Sequence, residues 1–314
     1  IKNIKKITFS EFLIKNINMK RDKLSIFQCP SCKKSLNSNI NSLKCFTCSK
    51  TYFIKNDIPI VLKNAEQSMS FIKDKIKENP TWYTDDQMTY NDSGSYRHHI
   101  KKRVSYLDNV FKKYNLLKSM QILDAGCGDG INLRFLTKIP DSTITGIDYN
   151  FIRMQRAQKN IGNKMNFVVG DLLEHGFKNN SFDMIFCSHV LEHITEDLKA
   201  LKNFYRMLKP GGFLILGVPN EGALLWKLHY KYIQPKILKQ IDHVNFYTAK
   251  TLKKKLQKAE FNILETKHIG WGLPHTGIDE ALRQYKFIDD LFAFIGNKLF
   301  KKQSTSLYFI CQKS

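Results

Sequence analysis

Two pairs of cysteines near the start of the chain have the spacing of metal ligands. Two residues separate the cysteines within each pair and twelve separate the pairs, which are Cys29 with Cys32 and Cys45 with Cys48. Four thiolates on two tight turns can close a tetrahedral zinc site that has no open position for catalysis. A redox motif usually occurs once, and disulfides fit poorly with a chain that shows no export signal. The spacing therefore predicts a structural zinc ion.

A glycine-rich segment in the middle of the chain is typical of a ligand-binding loop. It follows Asp124 and consists of Gly126, Cys127, Gly128, Asp129 and Gly130. Glycine lets the backbone turn tightly and approach a ligand closely. The spacing is G-x-G-x-G, without the dinucleotide fingerprint G-x-G-x-x-G and without a phosphate-loop lysine. The loop alone does not identify its ligand.

Two further acidic residues follow apolar segments and can join the glycine loop at one edge of a sheet. Asp148, followed by Tyr149, comes about twenty residues after the loop, where a carboxylate can accept both hydroxyls of an adenosyl ribose. Asp171, followed by Leu172, is placed to accept from an adenine amino group. Because the carboxyl ends of parallel strands converge, these positions predict one crevice that binds an adenosyl ligand.

The elements that must position these residues are apolar segments of strand length that alternate with segments of helical periodicity. The strand segments span 121–125, 143–148, 165–170, 182–187 and 212–218, and helical segments include 151–160 and 195–208. The alternation predicts an α/β fold with a doubly wound, mainly parallel sheet. Nearly continuous apolar runs are typical of strands that are buried on both faces.

The segments LDAGCGDG, GIDYN, VVGDL, FDMIFCSHVLEHI and LKPGGFLILGVPN together closely resemble class I S-adenosylmethionine-dependent methyltransferases. The resemblance extends over residues 115–270. It implies a Rossmann-like, seven-stranded sheet whose last strands, near 262–267 and 306–312, include an antiparallel strand. It also implies a methyl-transferring enzyme that uses S-adenosyl-L-methionine and releases S-adenosylhomocysteine.

The same resemblance implies where each part of the cofactor binds. The methionine part lies on Asp124 and the glycine loop, and the ribose lies on Asp148 with Tyr149 beside it. The adenine lies on Asp171 and Leu172, and Ser188 also contacts the cofactor.

The residues after the fourth strand face the transferred methyl group and indicate the class of acceptor. The segment from Cys187 to His193 lacks the [DNS]-P-P-[YFW] motif of enzymes that methylate base nitrogens. Its H-x-x-E-H pattern is similar to the E-x-x-E-H of ubiquinone-pathway O-methyltransferases, and to sugar and natural-product O-methyltransferases. His189 replaces the first glutamate of that motif, which leaves metal dependence open. The resemblance favours methylation of a small-molecule, sugar or lipid-linked glycan hydroxyl.

Three histidines are candidates for the base that this reaction needs. Methyl transfer to oxygen is an in-line displacement in which an aligned group removes a proton, and histidine titrates near neutral pH. The candidates are His189, His193 and His243. Each has a structural alternative: His193 can fix the turn after the strand, His189 can line the cofactor, and His243 can cap a helix.

The cysteine pairs lie in a segment that resembles a second known unit. Residues 27–62 resemble the small zinc-ribbon domain found as a methyltransferase activator subunit and fused ahead of many bacterial methyltransferases. We expect a zinc-ribbon domain over 1–63, a linker and N-terminal helical cover over 64–114, and a methyltransferase domain over 115–314 with a substrate-covering insert at 221–247. Linker aromatic residues are expected to order over the site, namely Trp82, Tyr83, Tyr90 and Tyr96.

The charge of the chain bears on its partners. The formal net charge is +22, of which residues 1–63 carry +10, residues 64–220 carry +4 and residues 221–314 carry +8. Lysine supplies most of it, whereas reading of bases favours arginine. The alternative function is a zinc-ribbon methyltransferase of ribosomal or transfer RNA, and a third hypothesis is a module that holds the cofactor without transferring methyl.

Two segments mix large apolar, aromatic and basic residues and suggest a further partner. Residues 223–233 and 287–302 either cover the site as helices or lie on an anionic membrane. The longest apolar run, Phe213 to Val218, is far too short to span a bilayer, so no transmembrane segment is expected. These features favour a cytoplasmic enzyme with peripheral association at the inner membrane face.

Overall fold

The computed structural model of this chain describes residues 25–39, 41–64, 94, 97–162, 165–236, 242–273 and 275–314. The aromatic residues expected to order over the site, Trp82, Tyr83, Tyr90 and Tyr96, lie outside these ranges. The cover that they were expected to form therefore stays a prediction.

Four short strands come first among the described residues and surround the cysteine pairs. They are β1 (Asn37–Ser38), β2 (Ser42–Lys44), β3 (Thr51–Lys55) and β4 (Ile58–Val61). A two-residue turn joins β3 to β4, and its residues Asn56 and Asp57 have φ angles of 53° and 60°. Asn and Asp tolerate this left-handed conformation, whose twist suits a tight hairpin. Strands β3 and β4 therefore form a hairpin, with Ile54 opposite Pro59 and Lys55 opposite Ile58.

Seven longer strands follow and form the main sheet. They are β5 (Gln121–Ala125), β6 (Thr143–Asp148), β7 (Asn166–Gly170), β8 (Phe182–Ser188), β9 (Leu208–Pro219), β10 (Asn262–Ile269) and β11 (Ser306–Gln312). Their spatial order is β7-β6-β5-β8-β9-β11-β10. Neighbouring strands are parallel except at β11, which is antiparallel to both β9 and β10. The predicted seven-stranded α/β sheet with one antiparallel strand is confirmed.

Eight α-helices connect and cover the strands. They are α1 (Arg97–Lys113), α2 (Leu133–Leu136), α3 (Phe151–Ile161), α4 (Asp197–Met207), α5 (Leu224–Leu228), α6 (Ala249–Lys258), α7 (Thr276–Arg283) and α8 (Lys286–Phe294), all within the described ranges. Short π-helical turns follow α5 (His229–Ile233) and α8 (Ile295–Leu299), and 3₁₀ turns span Leu191–His193 and Lys301–Gln303.

Both faces of the sheet are buried. Successive strand residues point to opposite sides, so neighbours in one strand pack into different clusters. Ile122 of β5 packs into a cluster that includes Leu107 of α1 and Met154 of α3. The next residue, Leu123, packs into a second cluster that includes Phe204 of α4 and Leu256 of α6. Helices therefore cover both faces, which explains why these strands are nearly continuous apolar runs in the sequence.

The cysteine-containing unit joins the main sheet at its β7 edge. Strand β4 pairs with β7 in parallel, with Ile60 opposite Val169 and Val61 opposite Gly170. Phe27 stacks on Phe177 with ring centroids 5.2 Å apart. The edge strand is thereby covered, and an exposed edge is a common site of aggregation.

Gly176 shows how closely the two parts fit. A Cβ atom at this position would lie 2.4 Å from Cγ1 of Val61 and 3.1 Å from the carbonyl oxygen of Gln28. Only glycine fits here without a shift of the neighbouring unit. The junction between β4 and the main sheet therefore depends on a residue outside the cysteine segment.

Candidate active site

A cavity of about 1090 Å³ opens at the carboxyl ends of β5, β6, β7 and β8. This edge is where open α/β sheets bind ligands. Predicted site residues that line the cavity are Gly126, Cys127, Gly128, Asp148, Tyr149, Asp171, Leu172, Ser188, His189, His193 and His243. Asp124 of β5 and Gly130 of the glycine loop lie outside the lining. The fold thus brings most of the predicted residues to one cavity.

The glycine loop has positive φ angles that residues with a Cβ atom rarely adopt. Gly126, Gly128 and Gly130 have φ angles of 77°, 53° and 90°. A Cβ atom on Gly126 would lie 2.4 Å from Val190, and one on Gly128 would lie 2.6 Å from the Arg153 guanidinium. The loop therefore requires glycine both for its backbone angles and for its close contacts.

Asp124 lies beneath this loop. Its side chain is fully buried, and neither carboxylate oxygen has a hydrogen-bond partner in the part of the chain that the structure describes. Burial and the nearby charge of Asp148 raise the pKa of Asp124 well above its usual value. A buried, unpaired carboxylate is costly, and a nearby cation offsets that cost.

The next two strand ends present their carboxylates to the cavity. Asp148 accepts hydrogen bonds from the backbone N–H of Gly128 at 3.0 Å and of Asn150 at 2.9 Å. Asn150 also caps α3 by accepting from the N–H of Ile152 at 2.9 Å. Asp171 accepts from the N–H of Leu173 at 2.8 Å. These backbone bonds fix both carboxylates at the cavity edge.

Ser188 lies at the end of β8, where the cofactor side of the cavity meets the histidines. Its Oγ lies 2.7 Å from Oη of Tyr308 on β11. Tyr308 packs against Gly217, where a Cβ atom would lie 2.5 Å from the ring. Ser188 is therefore a fixed wall residue of the cavity.

The segment after β4 also lines the cavity, which the sequence did not indicate. Leu62, Lys63 and Asn64 lie next to the β7 end because β4 runs parallel to β7. Lys63 lies 3.5 Å from Glu174, which also pairs with Lys199 at 2.9 Å. The hydrogen bond from Lys199 lowers the pKa of Glu174. Three residues of the cysteine-containing unit thus form part of the cavity rim.

His189 has a strained backbone at the far side of the cavity. Its φ angle is 57°, which is uncommon for a residue other than glycine and is often found at functional sites. Its N–H donates to the carbonyl of Gly217 at 2.9 Å, which holds the strained turn in place. Nδ1 lies 3.6 Å from Oε1 of Glu192, and the side chain is 37% exposed. The ring of His189 therefore lines the cavity, and the carboxylate of Glu192 lies beside its Nδ1 atom.

Two further histidines lie beside Glu192. His193 and His243 have ring centroids 4.7 Å apart. Nδ1 of His193 lies 3.2 Å from the carbonyl oxygen of Asp242, and Nδ1 of His243 lies 2.6 Å from Oε2 of Glu221. Tyr230 donates to the other oxygen of Glu221 at 2.5 Å.

The pKa values of these two histidines shift in opposite directions. Burial lowers the pKa of His193. Burial also acts to lower the pKa of His243, but the hydrogen bond and charge of Glu221 outweigh it and raise the pKa. The two rings are close together and have different electrostatic surroundings.

Several residues of this region were missed or given no role by the sequence analysis. They are Arg103, Glu192, Glu221 and Tyr230. Glu221 follows the end of β9 almost directly, a position comparable to that of the predicted acids, so a signal existed. Arg103 lines the cavity from α1, well before the first strand of the main sheet, and no local pattern pointed to it.

The four predicted metal ligands converge on one point. Sγ of Cys29 lies 3.6 Å from Sγ of Cys48, and Sγ of Cys32 lies 3.4 Å from Sγ of Cys45. Tetrahedral coordination with bonds of about 2.3 Å places sulfur atoms about 3.8 Å apart. All four cysteines are unbridged and can therefore hold one ion. Cys127, Cys187 and Cys311 are buried free thiols.

Comparison with known proteins identifies the family. Residues 96–266, more than half of the chain, match the family described as "Methyltransferase domain". The chain belongs to this methyltransferase family. It has the mixed α/β, Rossmann-like fold of S-adenosylmethionine-dependent methyltransferases, as predicted.

Curated relatives share part of this methyltransferase. It is 32% identical over 100 residues to a sterol 24-C-methyltransferase of Aspergillus fumigatus, a match that covers 30% of this chain and 26% of that one. It is 29% identical over 173 residues to a demethylmenaquinone methyltransferase of Staphylococcus aureus, covering 48% of this chain and 72% of that one. The match to the sterol enzyme thus spans about a quarter of its length.

Solved structures share the fold of this methyltransferase. A putative sarcosine dimethylglycine methyltransferase from Galdieria sulphuraria superposes with a TM-score of 0.52 at 18% identity, covering 68% of this chain and 86% of that one. A complex between the Haloferax volcanii Trm112 methyltransferase activator and a putative methyltransferase also gives a TM-score of 0.52, at 19% identity and covering 74% of this chain and 96% of that one.

Among the helices that the structure describes, none is both long and apolar enough to cross a bilayer.

Proposed function

We propose that this enzyme methylates a hydroxyl oxygen of a small-molecule, sugar or lipid-linked glycan acceptor. The observation that supports this proposal is the group of three histidines and one buried glutamate at the side of the cavity away from Asp148 and Asp171. The group offers proton acceptors and no motif that grips a planar amine. S-adenosylmethionine, when bound, supplies an electrophilic methyl group on a positively charged sulfur.

The cofactor half of the cavity has residues suited to each part of that molecule. The buried carboxylate of Asp124 offsets the charge of the methionine ammonium. Asp148 and Tyr149 bind the ribose, and Asp171 with Leu172 binds the adenine. The glycine loop and Ser188 close the two sides of this half. A charged carboxylate makes strong hydrogen bonds to hydroxyl donors, so Asp148 carries much of the affinity.

His189 is the proposed base. Nδ1 faces Glu192 at 3.6 Å, so Nε2 is the ring atom that takes the proton of the acceptor hydroxyl. The arrangement of a base backed by a carboxylate recurs in many active sites. With S-adenosylmethionine bound as the methyl donor, Nε2 of His189 would accept the proton of the acceptor hydroxyl. His193 and His243 complete the wall around the acceptor oxygen.

The division of the chain into functional parts is also a proposal. Residues 1–63 form a zinc-ribbon domain whose four cysteines hold a structural zinc ion. Residues 64–114 form a linker and helical cover, and residues 115–314 form the catalytic domain with an acceptor-covering insert at 221–247. In support of the insert, Asp242, His243 and Val244 line the cavity. In support of the ribbon, its last residues, Leu62 and Lys63, reach the cavity rim.

A lipid-linked acceptor is favoured by one exposed surface, here called the apolar-basic surface. It contains exposed apolar residues of α5, α8 and the turns that follow them: Leu224, Leu228, Tyr232, Ile233, Phe287, Leu291, Phe294, Leu299 and Phe300. Exposed lysines lie among them: Lys227, Lys231, Lys298, Lys301 and Lys302. The two segments touch, since the N–H of Leu225 donates to Gln303 at 3.2 Å. Such a mixture suits peripheral binding to an anionic membrane.

RNA methylation remains the alternative function, and the contacts of two ribbon lysines reduce the charge available for it. Lys33 donates to the carbonyl of His175 at 3.1 Å, and Lys63 pairs with Glu174. Both lysines thus make contacts at the junction with the main sheet, although they remain exposed. Binding through phosphates would weaken steeply, by about 10³–10⁵ between 50 and 200 mM salt for six to ten contacts.

The function is tested by profiling acceptors with the full chain. Release of S-adenosylhomocysteine is measured with hydroxylated small molecules, sugars, lipid-linked glycans and structured RNA, each at low and moderate salt. We expect release with at least one hydroxyl acceptor and little effect of salt on small acceptors. Turnover with RNA alone, lost steeply as salt rises, would instead support the alternative. Release with none of the acceptors would favour a module that only holds the cofactor.

A further inference from the structure

A second cavity, of about 480 Å³, adjoins the candidate active site and is here called the junction groove. It is lined by residues 195–199 together with Lys202, Asn203 and Arg206. Residues 195 and 196 also line the larger cavity, so the two cavities are continuous. Sites for small ligands usually have volumes of about 300–1,000 Å³. The groove is therefore large enough to hold part of a molecule that also occupies the active site.

Three cationic side chains lie in a row along the groove. Lys199, Lys202 and Arg206 are three and four positions apart, so they lie on one face of α4. Lys202 and Arg206 are exposed, and neither forms an ion pair with any residue that the structure describes. The groove therefore presents two cations that are available to a ligand.

The acidic residues near the groove do not neutralise this row. Asp197 is buried and pairs with Lys255 of α6. Glu174 and Glu196 both contact Lys199, at 2.9 and 3.7 Å. The carboxylates are thus engaged at one end of the row, and the rest of the row keeps its positive charge.

The cysteine-containing unit adds positive charge next to the groove. Lys33 donates to the carbonyl of His175 at 3.1 Å, so this contact leaves its charge without a counterion. Burial lowers the pKa of His175 to about 4, and the charges of Lys33 and Arg206 act in the same direction. One cation from each unit therefore lies close enough to act on the same ring. A negatively charged ligand would relieve the repulsion between them.

Hydrogen bonds fix α4 against the segment that follows β7. The side-chain amide of Asn203, which is buried, donates to the carbonyls of Leu172 and Leu173 at 2.9 and 3.0 Å. The helix therefore holds the row of cations at a fixed position beside the active-site cavity. Charges that are already in place bind an anion at a lower entropic cost than charges that must first be ordered.

The length of the row indicates the kind of anion. Each helical residue rises about 1.5 Å, so the row from Lys199 to Arg206 is about 10 Å long. It therefore offers charge to two successive phosphates rather than to one. Arginine binds phosphate oxygens through paired hydrogen bonds, and lysine binds them as a point charge. The groove begins at Thr195, two residues or at most about 7 Å of chain after His193. A sugar held at the histidines can therefore place an attached diphosphate in the groove.

We propose that the junction groove binds the diphosphate of an acceptor in which a diphosphate links the methylated sugar to its carrier. The carrier is a lipid or a nucleoside, since both present the same diphosphate chemistry. The proposal rests on the proposed O-methylation and narrows its acceptor to a sugar diphosphate. Lys202 and Arg206 determine specificity by binding the acceptor away from the reacting oxygen. Binding of a diphosphate to the groove does not itself depend on the reaction.

The groove is tested by the binding of inorganic diphosphate to the full chain. Calorimetry measures the affinity with S-adenosylhomocysteine present, at about 0.15 M salt, where exposed charges more than about 8 Å apart are largely screened. Lys202→Gln combined with Arg206→Gln should weaken binding by about tenfold or more, because two charge-assisted contacts are lost.

The matched control is Lys138→Gln combined with Lys159→Gln. It removes the same charge from exposed positions on the opposite face of the sheet and should bind diphosphate like the wild type. Unchanged affinity for S-adenosylmethionine would show that both double variants remain folded. A wild type that binds no diphosphate, or equal binding by the two double variants, would overturn the groove as a site.

Steady-state kinetics test the acceptor class. Lys202→Gln combined with Arg206→Gln should raise KM for a sugar diphosphate by about tenfold or more and leave kcat unchanged. KM for the same sugar without phosphate should not change. Turnover of either the lipid-linked or the nucleoside-linked sugar supports the proposal and identifies the carrier.

Other outcomes separate the groove from the proposed function. Turnover of the unphosphorylated sugar as efficient as that of the sugar diphosphate would contradict the acceptor class. A groove that binds structured RNA and no diphosphate would overturn the proposal in favour of a nucleic acid. If diphosphate binds to the groove but no hydroxyl acceptor turns over, the proposed function fails while the binding site stands.

Discussion

The two halves of the cavity are built in different ways. In the cofactor half, Asp124, Asp148 and Asp171 each lie at the end of a neighbouring parallel strand, so strand order alone brings them together. In the acceptor half, His189 and Glu192 come from one turn, while Glu221 and His243 come from a separate insert. Strand order therefore brings the residues of the cofactor half together, whereas contacts between segments distant in the sequence bring those of the acceptor half together.

The halves also differ in their electrostatics. The cofactor half is acidic, and its most buried carboxylate, Asp124, has no hydrogen-bond partner among the described residues. The acceptor half combines two buried carboxylates, Glu192 and Glu221, with three imidazoles. An acidic pocket suits a ligand with a cationic methionine part, whereas imidazoles suit removal of a proton. Binding of the cofactor and activation of the acceptor should therefore be separable by mutation.

The largest expected effect is a loss of kcat, caused by a substitution in the acceptor half. His189→Gln should lower kcat by about 10²–10⁴-fold, the usual contribution of a general base, and leave the affinity for S-adenosylmethionine unchanged. Steady-state kinetics with the acceptor found by profiling, together with calorimetry, measures both quantities. His275→Asn serves as the control and should match the wild type. A full kcat in His189→Gln would remove His189 from the proposed role.

A smaller effect is expected on the cofactor half. Asp148→Ala should weaken binding of S-adenosylmethionine by about tenfold or more, because a pair of charge-assisted hydrogen bonds is lost. Calorimetry measures the affinity, and Asp108→Ala on the exposed side of α1 is the control. If Asp148→Ala binds the cofactor as tightly as the wild type, the ribose does not lie on this carboxylate.

The apolar-basic surface tests whether the acceptor half serves a lipid-linked molecule. Phe287→Ser should weaken binding to anionic vesicles by about ten- to hundredfold, because an inserted aromatic side chain contributes about 1.5–3 kcal/mol. Vesicle co-sedimentation measures this, and Phe53→Ser is the matched control because Phe53 is equally exposed on the ribbon. Equal binding by both variants, or no binding by the wild type, would contradict a membrane role.

The smallest effect on chemistry is expected from the ribbon. Cys29→Ser should destabilise residues 25–62 and leave kcat nearly unchanged, because a structural zinc site contributes to folding rather than to proton transfer. Hydrogen exchange reports the stability of this region, and zinc content is measured in parallel. A zinc-free protein with the exchange pattern of the wild type would show that the four cysteines do not hold a structural ion.

Much of the fold was predictable because buried parallel strands are recognisable without tertiary information. The segments predicted at 121–125 and 143–148 match β5 and β6 in full. Strand β9 is longer than predicted, beginning at Leu208 rather than at 212, because pairing with β8 extends it past two glycines. Because glycine weakens a strand, the two glycines made this extension unrecognisable from the sequence.

The acceptor half was less predictable because its contacts join distant segments. All three histidines were named from the sequence, yet nothing local pairs His243 with Glu192, since the link is a set of backbone hydrogen bonds. The contribution of Leu62 and Asn64 to the rim depends on the pairing of β4 with β7, which the sequence does not encode as a motif. Contacts of this kind appear only once the chain is folded.

A crystal structure of the full chain with S-adenosylhomocysteine would test the central claim most directly. The account predicts that the ribose hydroxyls bind Asp148, that the adenine lies beside Asp171 and Leu172, and that the sulfur faces His189. An adenosyl group bound at another edge of the sheet, or a sulfur directed away from His189 and Glu192, would contradict the division of the cavity into a cofactor half and an acceptor half.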